Sequence, residues 1–315
     1  MSVEAFPTVS PEQLRQRSVR NLLRMGHCAL TVMRTMLDAS DTEANWLVLL
    51  TAGLPGGIGN TGGECGGLTA PLVLMGLRHR RGEIADGLPV VVDAGHDLLQ
   101  RFRDRHGTTD CRQILGHARA PLRCVGVVRE APAMCAQCLA APGGRQVISP
   151  ERRAAYRELY QHWQQRGFHC ADAVLAELET PDELDGAATA FMGGTLFEGM
   201  TCSALTAGVM ALGLAFGEIE DSRRRVARML AMMALRRDAL ADDVNRFNRA
   251  MNHGHDLAAW FERQFGSSQC RALTGCDFAT AEGVHAYIEH DGTTECARIA
   301  RLVAERVAES IAQAS

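Results

Sequence analysis

The chain is written twice. GGECGGLTAPLVLMGL, Gly62 to Leu77, returns as EGMTCSALTAGVMALGL, Glu198 to Leu214. The echo extends in order along nearly the whole sequence. Val9-Ser10-Pro11-Glu12 is answered by Ile148-Ser149-Pro150-Glu151, and His27-Cys28-Ala29 by His169-Cys170-Ala171. Gly95-His96-Asp97-Leu98 matches Gly254-His255-Asp256-Leu257. RFRDRHGTTDCRQILG, ending at Gly116, matches WFERQFGSSQCRALTG, ending at Gly275, without a gap. Matches in one order in both halves mean an internal duplication. Ala140-Ala141-Pro142-Gly143-Gly144 reads as the seam, which gives modules over residues 1–144 and 145–315. The second carries about 22 extra residues between its second and third matched cysteines, within Glu218 to His253.

The local signals are helical nearly throughout. Ser10-Pro11-Glu12-Gln13 is a cap, a proline at the first helical position and a capping-box partner. Ser149-Pro150-Glu151 opens the second module in the same way. Gly26 and Gly167 read as helix stops, with new helices near His27-Cys28 and His169-Cys170. Ala227 to Met251 has helical periodicity and no breaker. Leu88-Pro89-Val90-Val91-Val92 is the one β-like run and reads as a loop or short segment. The expected fold is all-α, two tandem pseudo-symmetric helical-bundle modules.

Eleven cysteines are the unusual part of the composition. An odd number leaves one thiol outside any disulfide framework, and a chain of this size does not need such staples. Each module contributes four matched cysteines: Cys28, Cys65, Cys111 and Cys135, then Cys170, Cys202, Cys270 and Cys296. Cys135 lies roughly where Cys296 does, while Cys124, Cys138 and Cys276 have no counterpart. Each matched cysteine is expected at or near a helix N-terminus. Pro71 supports this for Cys65, Thr108-Thr109-Asp110 for Cys111 and Ala131-Pro132 for Cys135. Ser267-Ser268 and Thr293-Thr294 do the same for Cys270 and Cys296.

That placement matters because the thiolate is the reactive form. A free thiol has a pKa near ~8.5, and helix N-termini lower it. A partly buried helix end contributes up to ~2 kcal/mol, and lowering a pKa by two units takes about 2.7 kcal/mol. One helix end plus Arg112 or Arg271, each directly after a cysteine, would supply roughly that. The small residues Gly66-Gly67 and Ser203-Ala204 let other backbones approach the sulfur. Buried free cysteine often only fills space. Against that, the cysteines recur in order in both modules while the surrounding sequence has drifted.

These residues resemble the redox-active protein family named for its C_GCAxxG_C_C cysteine pattern. The likeness covers both halves: a glycine before a cysteine-bearing helix start, a Gly-rich loop, Cys-small-small-Leu-Thr, Cys-Arg with a following Leu-Gly or Thr-Gly, and a last helical cysteine. Ala70 departs from it, standing where glycine is common. The resemblance implies either iron–sulfur cluster binding or thiol redox chemistry.

Three readings follow. In the first, each module gathers four thiolates around an iron–sulfur cluster or another thiolate-bound metal for electron transfer with a partner protein; four cysteines are the ligand count of a [2Fe–2S] or [4Fe–4S] centre. The second is metal-free thiol–disulfide exchange, with Cys65 and Cys202 attacking and Cys28 and Cys170 resolving. The third is a structural zinc protein or helical scaffold, for which only Cys135/Cys138 offers the usual close knuckle. Whether the chain is an enzyme stays open. Gly57-Ile58-Gly59-Asn60-Thr61-Gly62 fits G-x-G-x-x-G but lacks a strand-turn-helix setting, which argues against dinucleotide binding. A net charge of −4 and few aromatics argue against nucleic acid. The N-terminus lacks a basic region followed by an apolar core, and apolar runs are short for a membrane span. The expectation is a cytoplasmic protein, compatible with a homo-oligomer.

Overall fold

The computed structural model describes residues 9–79, 90–116, 120–140, 147–178, 180–219, 223–235 and 248–314. Among them are fifteen α-helices and no strand, only two isolated bridges, Glu64 to Asp110 and Thr201 to Gln269. In chain order the helices are α1 (Pro11–Met25), α2 (Cys28–Ala39), α3 (Asn45–Leu50), α4 (Gly66–His79), α5 (Val90–His106), α6 (Cys111–Leu115) and α7 (Ala120–Ala140). The second repeat supplies α8 (Pro150–Gln165), α9 (Asp172–Glu177), α10 (Ser203–Phe216), α11 (Arg223–Ala234), α12 (Arg249–Phe265), α13 (Cys270–Thr274), α14 (Ala281–Glu289) and α15 (Gly292–Ala314). None of the described helices is long and apolar enough to cross a membrane.

The helix starts follow their caps. Ser10 accepts from the Gln13 N–H while Gln13 reaches back to the Ser10 N–H, a complete capping box. Ser149 caps α8 through the Arg152 N–H. Val90-Val91-Val92 open α5 rather than a loop, with Leu88 and Pro89 outside the described residues. The long helix expected over Ala227 to Met251 appears as the end of α11 and the start of α12; residues 236–247 lie outside the described set, as do 141–144 of the seam.

Two compact units result, each drawing on both repeats. The first comprises Met1–Leu74, Leu98–Ala141 and Val209–Asp256; the second Met75–Asp97, Pro142–Gly208 and Leu257–Ser315. In the first, α1 packs on α2 and α7, and α11 lies against α1 and α7. In the second, α14 packs on α8, and α15 packs on α9 and α14.

Helix α7 departs from expectation. Ala131-Pro132 does not start a helix; Pro132 sits inside a continuous one. Proline has no N–H, so the carbonyl four residues earlier loses its helical partner. That carbonyl belongs to Val128, and the buried Ser18 hydroxyl of α1 donates to it at 2.6 Å. Tertiary packing thus satisfies the one group that would otherwise disfavour the helix.

Candidate cysteine site

Each site is built around a turn of the wrong hand. Gly56, Gly57, Ile58, Gly59 and Asn60 all have positive φ, and so do Gly193, Gly194, Thr195, Leu196 and Phe197. Left-handed backbone costs an L-residue roughly 1–2 kcal/mol, so a run that includes Ile58, Thr195, Leu196 and Phe197 needs outside support. In the second unit α8 supplies it. Tyr156 stacks on Phe197 at 4.4 Å, Trp163 stacks on it at 5.8 Å, and Arg152 Nη2 reaches Glu198 Oε1 at 3.0 Å. Gly62 and Gly199 close the turns by donating to the carbonyls of Gly56 and Gly193.

The segment after the turn is tied to the third cysteine by backbone bonds that repeat position for position. Cys65 N donates to Thr109 O at 2.8 Å, Cys111 N to Gly63 O at 2.7 Å, and Arg112 N to Gly62 O at 3.0 Å. In the second unit Cys202 N donates to Ser268 O at 2.8 Å, Cys270 N to Met200 O at 2.6 Å, and Arg271 N to Gly199 O at 3.0 Å. Two cysteines far apart in sequence are thereby fixed side by side at helix starts.

In each unit a pocket gathers cysteines. In the second, Cys170, Cys202, Cys270 and Cys296 all line it, walled by Trp163, Phe278 and Tyr287. In the first, the cysteines are Cys28, Cys65, Cys111 and Cys124, joined by His27, Met229 and Met251. Cys135 does not line it. It is fully buried in α7, 11 residues past Cys124. That is three turns on, about 16 Å along the axis. Cys124 is the fifth residue of α7 and Cys296 the fifth of α15, so these two are the structural counterparts. The pairing by spacing goes astray because the second repeat inserts α14 between its third and fourth cysteines, which lengthens that interval from 13 to 26 residues. A signal existed in the sequence: Pro121 stands three residues before Cys124, as Thr293 does before Cys296, and each marks a helix start.

The eleven cysteines form no disulfide, and of the eight pocket cysteines all but Cys124 and Cys296 are buried residues. Their acidities differ between units. The neighbouring Cys124 and Cys65 thiols, with His27 and the Gly56 N–H, hold Cys28 well below the usual thiol range. Cys65 is pushed well up by the neighbouring Cys111 and Cys28 sulfurs and by burial, and Cys124 by the Cys28 sulfur and burial. In the second unit burial dominates: it raises Cys170 and Cys270 and pushes Cys202 and Cys296 up to about 12. Helix starts and arginines therefore do not make every thiol acidic. Arg112 and Arg271 turn to the loop instead, donating to Thr61 O at 3.1 Å and Glu198 O at 3.3 Å.

A pH test follows. An unfolded thiol loses its proton near the ordinary value of 9.0, while folded Cys202 and Cys296 keep theirs to about 12. Over that window the folded state binds more protons, so stability falls as pH rises. Thermal melts of the reduced, metal-free protein should show Tm dropping above pH 9, and less steeply in Cys202→Ser/Cys296→Ser. Equal slopes would show that these thiols do not contribute.

A family model described as "Putative redox-active protein (C_GCAxxG_C_C)" matches residues 26–138 and 168–310. No curated protein matches the chain, and no solved structure does.

Proposed function

We propose, since the chain belongs to the C_GCAxxG_C_C redox-active protein family, that each unit houses a cysteine-ligated iron–sulfur centre for electron transfer. One observation carries this: four cysteines from four separate segments line a single pocket, and they do so twice. Four thiols are the donor set such a centre needs. No group of three or more His, Cys, Asp or Glu side chains among the described residues stands ready in a metal-ligating arrangement. The fit is thus one of donor number and chemistry.

Cys28, Cys65, Cys111 and Cys124 would hold the first centre; Cys170, Cys202, Cys270 and Cys296 would hold the second. When bound, a cluster supplies a one-electron couple. The chain's own contribution is to the sulfurs. Buried charge needs a compensating partner, and the raised thiols of the second unit would ionise only against one. Backbone N–H groups of Gly193 on Cys170, and of Leu205 and Ala204 on Cys202, are positioned to stabilise sulfur charge. Hydrogen bonds to sulfur and solvent exclusion set the potential of such centres. Aromatic walls in one pocket and histidine with methionines in the other would give two different potentials. Burial also favours electron transfer over exchange with a protein disulfide, since an attacking sulfur must touch its target and Cys65 and Cys202 are buried.

The test is anaerobic purification with a visible spectrum and measurement of iron and acid-labile sulfide. Iron and sulfide in matched amounts, with charge-transfer bands, are expected. A colourless protein that resists anaerobic reconstitution would sink the reading, and stoichiometric zinc in place of iron would favour a structural metal.

A further inference from the structure

Among the described residues, every exposed large hydrophobic belongs to the first unit. Val19 and Leu23 sit four residues apart on α1, Leu122 lies in the first turn of α7, and Leu235 directly follows α11. These three helices pack on one another. Helices α1 and α7 run antiparallel: Arg15 reaches Glu130, and further along α1 Ser18 reaches back to Val128. The C-terminal end of α1 therefore lies beside the N-terminal end of α7. Gly26, just past α1, meets α11, since a Cβ there would lie 3.0 Å from Val226 Cγ2. Arg123 of α7 donates to Ile114 O of α6 at 3.2 Å. Gly26, Ile114, Cys124 and Met229 all line the first pocket. One end of the bundle thus carries the pocket together with Leu23 and Leu122, which are 52% and 70% exposed.

The exposed charge on these elements has one sign. Arg24 stands two residues before Gly26, Arg112 directly after Cys111, Arg123 directly before Cys124 and Arg228 directly before Met229, and all four are exposed. Arg20, one turn back on α1, is exposed as well. Helix α1 beyond Glu12, α6 and α11 contain no carboxylate. Asp110 caps α6 by accepting from the Gln113 N–H, Glu64 beside Cys65 is buried, and Glu130 pairs with Arg15. The second unit differs at matched positions. Glu295 precedes Cys296 where Arg123 precedes Cys124, and Asp172 follows Cys170 by two where Leu30 follows Cys28. Its Arg271 lies 3.1 Å from Asp277.

We infer that this end of the first unit is the docking face for an acidic electron-carrier protein, one with Asp and Glu ringed around its own redox group. The inference rests on the electron-transfer reading above and names the partner's chemistry. Contacts between electron carriers are small and short-lived, so their encounter depends on long-range charge. Like-signed arginines around a site attract a negative surface and raise the rate of productive encounter. Leu23 and Leu122 supply the apolar contact that excludes water once the partner arrives. They also separate a protein partner from a nucleic acid, whose phosphates would engage the arginines and leave exposed leucines unused. The second unit, with carboxylates beside its first and fourth cysteines, lacks this face.

The experiment titrates the full, reduced chain, with and without iron, against an acidic [2Fe–2S] ferredoxin and, as the opposite probe, a basic cytochrome c. The ferredoxin should bind, and its affinity should fall at least about tenfold between roughly 25 and 250 mM salt. Arg24→Glu with Arg228→Glu should weaken binding about tenfold or more, and Leu122→Asp about threefold or more. Arg301→Glu, at an exposed arginine of the second unit, should change it less than about twofold. If the double variant fails to fold, Arg20→Glu and Leu122→Asp still decide. No ferredoxin binding at low salt, equal binding of the two probes, or equal losses in the Arg301 and first-unit variants would overturn the inference. So would tighter binding of a DNA duplex that ignores Leu122→Asp. Failure of the cluster reading shows separately, as a chain that binds the ferredoxin but takes up no iron.

Discussion

Cys124→Ala removes the first unit's centre, whereas Cys135→Ala leaves it in place. In anaerobic reconstitution the expected result is that iron and sulfide per chain fall by about half in the first variant and stay at the wild-type level in the second. The reason is position on one helix. Both residues belong to α7, but Cys124 lies in its second turn and lines the pocket, while Cys135 lies three turns further on among buried side chains. A sulfur about 16 Å along a rigid helix cannot be brought back by a rotamer change. Cys135→Ala trims one buried sulfur, which costs on the order of 1 kcal/mol of stability, visible in urea denaturation without loss of iron. Equal iron in Cys124→Ala and wild type, or its loss in Cys135→Ala, would reverse the assignment of the fourth ligand.

The largest effect on stability is expected at Gly194. It has φ +71°, and an added Cβ would lie 2.6 Å from the Cys270 Cβ and 2.7 Å from the Met200 N. Alanine there meets left-handed strain of about 1–2 kcal/mol and a backbone clash worth a further ~1–3 kcal/mol, the cost of overpacking a core. It also pushes on the strip that holds Cys270 beside Cys202. Gly194→Ala should therefore lose about 3 kcal/mol or more in urea unfolding and weaken second-unit loading. Gly107 is the control. Its φ is +79°, yet nothing lies within 4 Å of an added Cβ, so Gly107→Ala should cost only about 1–2 kcal/mol. Similar losses in both variants would mean that the turn is not crowded as described.

Much of this protein is legible in residue order alone. The duplication, the all-α class and the capped starts at Ser10 and Ser149 follow from repeated motifs and short-range hydrogen bonding, which acts within a few residues. Seven of the eight expected cysteines do line the two pockets. Local signals mislead where a distant group intervenes. Pro132 reads as a helix start because its missing N–H breaks the ladder; the Ser18 hydroxyl, 110 residues from the carbonyl it satisfies, removes that objection.

The left-handed turns show the same limit. Gly56-Gly57 and Gly193-Gly194 advertise unusual backbone, but Ile58, Thr195, Leu196 and Phe197 give no sign of sharing it. For Phe197 the support comes from Tyr156 and Trp163 of α8, which stack on its ring.

Neighbours along the chain are enough to establish that two related helical modules exist, where most helices begin and which thiols recur. Two outcomes needed the folded arrangement. Cys124 rather than Cys135 completes the first set, and both units draw on both repeats. Those outcomes rest on contacts between residues tens to hundreds of positions apart, and an inserted helix such as α14 changes the spacing between cysteines without changing the pocket they meet in.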